Sequence, residues 1–282
     1  MRHLAECGDE AVGIDDEVDI TDAGTLREKV ADVSPDAICH LAALASVGAS
    51  WSDPAETYRV NTVGTVNVLS AALGCPRRPR VLMISSSEVY GRVAPGDLPL
   101  REDHPFAPVS PYAASKAAAE MAGLQAWLGS GLEVVRARPF NHTGPGQRTD
   151  FVVPALARQV AGAQVSGERV LRTGNLDPRR DICDVRDVVR AYRLLLLSGR
   201  PGEAYNVCRG ESVSIRELAE GLIRLAGGEL VIEVDPDRVR PVDLPDMRGD
   251  PSKLYEATSW RPEVTLETTL RDVLAHWESL SV

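Results

Sequence analysis

No apolar stretch in this chain is long enough to span a bilayer, and the amino terminus lacks the apolar run of a signal peptide. The longest apolar piece, Leu194 to Leu197, reads as part of a helix. Cys-x-x-Cys spacing is also missing. Five cysteines (Cys7, Cys39, Cys75, Cys183 and Cys208) are odd in number and far apart, which argues against a disulfide framework and against zinc. The five histidines show no ligand spacing, so no metal is expected. Basic residues are the minority, 31 against 41 acidic, for a net charge of -10. That argues against nucleic acid, whose partners carry a basic footprint. Repeats and low-complexity segments are absent. What remains is an ordinary soluble composition, 44% hydrophobic and 26% charged over 282 residues, with room for a sizeable core. Thiols used as small hydrophobes fit a cytoplasmic protein.

The chain alternates strand and helix signals. Val12–Gly13–Ile14 reads as a short strand ending at Asp15 and Asp16, followed by a helix from about 23 to 33. Residues 37 to 43 read as a buried strand running into a loop. A helix over about 54 to 73 precedes a strand over 81 to 85. A helix over 111 to 128, with Pro near its first turn, precedes a strand over 133 to 138. Buried strands alternating with helices predict an α/β fold, a doubly wound parallel sheet with helices on both faces. Beyond Asn141 the texture changes. Helices are expected over about 152–163, 185–197, 215–226 and 266–280, with short strands near 205–207 and 230–232. Residues 1–150 are thus expected to form the sheet domain and 151–282 a smaller α/β region interleaved with it.

Two segments carry the chemistry. Tyr112–Ala–Ala–Ser–Lys116 opens the helix expected at 111, and Ser85–Ser86–Ser87–Glu88–Val89–Tyr90–Gly91 follows a strand. Positions four apart on a helix share a face. Tyr112 and Lys116 can therefore enter one site, where an ammonium lowers the pKa of a phenol and makes it usable as an acid or base. Ser86 can hold a carbonyl or hydroxyl oxygen beside that phenol.

These segments, with His40–Leu41–Ala42–Ala43, Asn61–Thr62–Val63–Gly64–Thr65 and Arg138–Pro139–Phe140–Asn141, resemble the extended short-chain dehydrogenase/reductases that act on nucleotide sugars. The resemblance covers nearly the whole chain. It implies a Rossmann-like fold and catalysis by Ser86, Tyr112 and Lys116. It implies cofactor contacts from Asp15, Asp19, Ile20, Leu41, Ala42, Ala43, Pro139 and His142, together with Tyr112 and Lys116. Asn61 joins that set and has an architectural reading as well, bracing the catalytic strand. His142 is expected to be a hydrogen-bonding loop residue rather than a base. The cofactor implied is NAD(H) or NADP(H); Asp15, placed to bind an adenosine ribose, favours NAD(H). The implied substrate set is Ser87, Glu88, Asn141, Val153, Arg180 and Arg240, with the two arginines suited to phosphates. A homodimer through the helices near 54–73 and 111–128 is implied as well.

Further segments narrow the likeness: 138–147, 174–181, 205–208 and 240–253. They look most like the reductases of GDP-4-keto-6-deoxymannose, with the GDP-mannose 4,6-dehydratases close by. Glu88, two residues after Ser86, stands where a dehydratase carries its base. The reductase is favoured, with a dehydratase or epimerase and a catalytically silent nucleotide-sugar-binding protein kept open. The chain departs from the family in lacking a first strand and a Gly-x-x-Gly-x-x-Gly loop, the usual cradle for the cofactor pyrophosphate. Two explanations are open: an upstream start, or a degenerate chain that closes the gap and binds cofactor poorly. The first is expected for the gene, and weakened NAD(P) affinity for these 282 residues.

Overall fold

The structure is a computed structural model and describes residues 1–14, 17–238 and 244–280. In chain order its helices are α1 (Arg2–Glu6), α2 (Ala23–Val33), α3 (Pro54–Tyr58), α4 (Gly64–Gly74), α5 (Pro111–Ser130), α6 (Val152–Ser166), α7 (Val185–Ser198), α8 (Ile215–Leu225), α9 (Ser252–Thr258) and α10 (Leu266–Leu280). The strands are β1 (Ala37–His40), β2 (Arg80–Ile84), β3 (Val134–Pro139), β4 (Asn141–Thr143), β5 (Val170–Thr173), β6 (Arg179–Asp184), β7 (Ala204–Val207), β8 (Ser212–Ser214), β9 (Val231–Val234) and β10 (Asp246–Met247).

The main sheet is parallel throughout, in the order β1-β2-β3-β7. β3 is buried at every position, because its residues face helices on both sides. On one face Val81, Met83 and Val134 pack with Leu69 and Ala72 of α4 and Ala119 and Ala126 of α5. On the other, Leu82, Val135 and Ala137 pack with Val188, Ala191 and Leu195 of α7 and Leu254 of α9. This is the doubly wound arrangement. β7 comes from beyond residue 200, so the second half of the chain completes the first half's sheet. A separate core joins α6, α8 and α10 with β5, beside a small sheet in which β6 pairs with β4, β10 and β8.

Val12–Ile14 does not form the expected strand. A strand needs a ladder partner, and among the described residues none lies beside it: β1 forms an edge of the sheet, and Val12 is exposed. The helix expected over 54–73 is interrupted by a π-helical turn at Arg59–Val63. Such turns re-aim side chains and recur at functional sites.

Helix α5 is fixed by its own sequence. Ser110 caps it by accepting the Ala113 amide at 3.1 Å, Pro111 occupies the first turn, and Gly131 closes it with φ 68°. Small residues let it lie close to β2. A Cβ on Gly123 would come within 2.7 Å of Met83 Sδ. The turn after β2 is held as tightly, since at Gly91 (φ +60°) a Cβ would sit 1.6 Å from the Ala107 carbonyl oxygen. Only glycine permits both that backbone and that approach.

Candidate active site

The carboxyl ends of β1, β2 and β3 release three loops on the same edge of the sheet, where parallel α/β folds bind ligands. Ser86 lies two residues past β2 and caps a short turn at Ser87–Tyr90, its Oγ accepting the Glu88 amide at 3.2 Å. Tyr112, on the first turn of α5, lies beside Ser86, close enough for the serine hydroxyl to act on its phenol. One turn on, Lys116 Nζ donates to the Ile84 carbonyl. The three side chains expected to react are thus brought together, and each is less than a tenth exposed.

The electrostatics depart from expectation. Tyr112 is not lowered by Lys116. Burial pushes its phenol up to about 12, with the Ser86 hydrogen bond opposing and the Glu88 charge adding to the rise. Lys116 is pushed down to about 8 by burial, against the stabilising charge of Glu120. The ammonium is turned to a backbone carbonyl, so desolvation outweighs attraction at the phenol. His40, buried at the end of β1 and hydrogen-bonded to Thr65 Oγ1 at 2.9 Å, is pushed down to about 3 by burial and by Lys116. It is a neutral structural imidazole.

Around this centre, Leu41 and Ala42 are exposed just past β1, with Ala43 half-buried. Asn61, in the π-helical turn and 1% exposed, braces that loop and α5 rather than the catalytic strand. Its Oδ1 accepts the Leu44 amide at 2.8 Å, and its Nδ2 donates to the Leu44 carbonyl at 3.1 Å and to Ser115 Oγ at 3.0 Å. Pro139 ends β3 in a buried position. His142 lies in β4, not in a loop, with its Nδ1 3.0 Å from the Phe140 carbonyl oxygen. Burial lowers its pKa, so it is no cation at neutral pH. Asn141 is exposed in the same strand, Ser87 is buried, and Glu88 is half-buried next to Tyr112.

Other expected residues lie apart or are already engaged. Asp19 accepts the Thr21 amide and hydroxyl at 2.8 Å each and faces Arg59 at 3.8 Å. Ile20 packs under Gly64, where a Cβ would meet its side chain at 2.5 Å. Arg180, in β6, donates to the carbonyls of Arg179 and Leu244 at 2.9 and 2.7 Å. Val153 is 2% exposed inside the α6–α8–α10 core, so its side chain is packing rather than a substrate contact: it falls on the buried stripe of α6. Asp15 and Arg240 lie outside the described residues.

Sequence reasoning missed Glu120, Arg136 and Ser85. Glu120 is fully buried on α5, with Arg136 Nη1 at 3.0 Å and Arg138 Nη2 at 2.7 Å on its Oε1. Its spacing, four residues past Lys116, was the available signal. Among the described residues no group of His, Cys, Asp or Glu could hold a metal ion, and no helix is long and apolar enough to cross a membrane.

A parallel sheet flanked by helices, with Ser86, Tyr112 and Lys116 converging at its carboxyl edge, defines a short-chain dehydrogenase/reductase of the extended, nucleotide-sugar type. Residues 16–273 match the family model described as GDP-mannose 4,6 dehydratase, and the chain belongs to that family. It is 43% identical over 249 residues to the GDP-6-deoxy-D-mannose reductase of Pseudomonas aeruginosa, covering 87% of this chain and 81% of that protein. It is 29% identical to a GDP-mannose 4,6-dehydratase of Yersinia enterocolitica, covering 91% and 77%. Its fold superposes on the structure of RMD from Pseudomonas aeruginosa complexed with NADPH with a TM-score of 0.91, at 38% identity and covering 99% of this chain and 95% of that one.

Proposed function

We infer that this protein reduces the C4 keto group of a GDP-4-keto-6-deoxyhexose with NAD(P)H. The observation that carries the reading is the convergence of buried Ser86, Tyr112 and Lys116 beyond the end of β2, with the phenol pushed up to about 12 by burial and protonated at neutral pH. A reductase needs a proton donor at the oxygen that receives negative charge, and a phenol with that pKa remains a donor throughout the physiological range. The identity to a named reductase supports the same direction.

The residues at the sheet edge fit the nicotinamide half of a dinucleotide. Leu41, Ala42 and Ala43 offer a small apolar shelf, Pro139 walls the opposite strand end, and Lys116 supplies a donor for a ribose hydroxyl. When bound, the dinucleotide supplies the hydride. The chain's own residues do the rest. Ser86 Oγ orients the carbonyl oxygen, and Tyr112 Oη delivers its proton there as the alkoxide forms. We assign Glu88, Ser87 and Asn141 to the sugar hydroxyls and Arg180 and Arg240 to the nucleotide phosphates, an assignment that requires Arg180 to turn from the Arg179 and Leu244 carbonyls when the substrate binds.

A second reading rests on Glu88. Its carboxylate lies close enough to act on Tyr112, the place for a base that removes a C5 proton in a 4,6-dehydratase. One pair of assays separates them. The reductase is expected to oxidise NADH or NADPH only when given the keto sugar, and to leave GDP-mannose untouched. Turnover of GDP-mannose without net cofactor consumption would establish the dehydratase instead. No turnover with either substrate, but binding of the GDP-sugar, would leave a silent binding protein.

A homodimer working in the cytoplasm completes the proposal. The outer faces of α3 to α5 expose Tyr58, Val63, Val66, Met121 and Leu128, the last at 73%, an apolar set suited to a partner copy. Light scattering is expected to give twice the 30.4 kDa chain mass. Exchanging Met121 and Val66 for Glu is expected to give the monomer, and a monomeric parent protein would refute the interface. All five cysteines are free, as in a reducing compartment.

A further inference from the structure

Helix α5 carries three polar side chains at successive turns, Tyr112, Lys116 and Glu120, on one face. Each faces a different residue of the short stretch from the end of β2 into the following turn. Tyr112 lies beside Ser86, Lys116 donates to the Ile84 carbonyl, and Glu120 Oε2 accepts from Ser85 Oγ at 2.5 Å. The reaction assigns tasks to the first two and none to the third. Yet Glu120 is 0% exposed. A carboxylate in that position costs several kcal/mol in desolvation, and an apolar replacement of a buried ion pair is often as stable.

Its connections run from the end of β2 through β3 to β7. Oε1 accepts from Arg136 of β3 and from Arg138 Nε at 3.0 Å, besides the shorter Arg138 Nη2 contact. Arg138 continues to Tyr90 Oη at 2.9 Å and the Glu102 carbonyl at 2.8 Å, and Tyr90 Oη donates to Asn206 Oδ1 of β7 at 2.6 Å. Arg138, Tyr90 and Asn206 are all under 5% exposed.

We propose that Glu120 is a positioning residue of the hydride-transfer site, seating the Ser85–Ser86 strand end against Tyr112 and supplying the counter-charge to Lys116. The proposal rests on the assignment of Ser86, Tyr112 and Lys116 as the reacting set. The groups around Lys116 make the second role specific. On its own helix stand Tyr112, protonated, and Glu120. From β1 comes His40, neutral. From β3, beyond Glu120, come Arg136 and Arg138, both cations. Glu88 lies past Tyr112 in the turn after β2. Glu120 is the negative charge that acts on the ammonium and opposes the effect of burial.

The test uses the full chain. It has three lysines, Lys29, Lys116 and Lys253, so ε-13C-lysine NMR resolves Lys116, assigned by the signal lost in Lys116→Met. In the parent protein Lys116 is expected to titrate near 8. In Glu120→Gln that titration is expected to move toward acid by about one pH unit or more. The same variant is expected to lose about 10–100-fold in kcat at nearly unchanged KM for the keto sugar. Support requires both results. If either the Lys116 titration or kcat stays as in the parent, the proposal is overturned, whatever happens to the melting temperature. Should Glu120→Gln fail to fold, Ser85→Ala decides: a fall in kcat at constant KM supports the seating role, and a parental kcat refutes it. The NMR arm needs no substrate, so a parent protein inactive toward the keto sugar would sink the functional reading without deciding the Glu120–Lys116 coupling.

Discussion

Tyr112→Phe is expected to lower reduction of the keto sugar by about 10²–10⁴-fold, the usual contribution of a positioned general acid. KM should change little, because the lost hydroxyl serves the developing alkoxide more than the bound ketone. The structure sets the sign of the accompanying pH dependence. With Tyr112 up at about 12 the donor is intact from neutral pH into the alkaline range, so no loss of activity below pH 10 should trace to its ionisation. An inflection near 8 is expected instead from Lys116. Steady-state kinetics from pH 6 to 10 check both points. A Tyr112→Phe variant with parental kcat would remove the phenol from the mechanism. An inflection near 8 that survives in Lys116→Met would remove Lys116 as its source.

Lys116→Met is expected to make the protein more stable and less active at once. The buried ammonium is disfavoured in the folded state, which is why its pKa falls from 10.5 to about 8. Below pH 8 both folded and unfolded chains carry the proton, and the full penalty is present, on the order of 3 kcal/mol. Between pH 8 and 10.5 the native state has lost the proton while the unfolded chain still binds it, so stability rises with pH and the penalty fades. Methionine has nearly the same length and no charge. The variant should therefore gain up to about 3 kcal/mol at pH 7, less the hydrogen bond to Ile84 at about 1 kcal/mol, and little above pH 10.5. Urea denaturation at pH 7 and pH 10 reads the difference. A variant less stable than the parent at pH 7 would show that the ion's partners outweigh its burial. A gain would place Lys116 among residues retained for function at the expense of stability.

Much of the scaffold was legible beforehand because its signals are local. Ser110 and Pro111 mark the start of α5, and the apolar run at 81–84 and the β-branched pair Val134–Val135 mark buried strands. The period of α5 placed Tyr112 and Lys116 on one side. Val12–Ile14 was misjudged because a strand exists only with its ladder partner, which no local pattern reveals. The π-helical turn at Arg59–Val63 was invisible for a related reason. It is held by Asn61 reaching Leu44 and Ser115, contacts 17 and 54 residues away. Val153, in the substrate set that the resemblance implied, lies in the core, since the side of α6 that is covered depends on where α8 and α10 settle.

The sequence by itself determined which residues meet at the candidate site, because Tyr112 and Lys116 share a helical face and Ser86 follows the end of a strand. It also determined the class of substrate, through motifs that resemble one family. Tertiary structure alone decided how those residues ionise. Spacing predicted a phenol lowered by its lysine; burial of both groups, the turn of Lys116 toward Ile84 and the charge of Glu88 reverse that shift. Desolvation depends on everything packed around a group, and in this site that packing is assembled from β1, β2, β3 and α5.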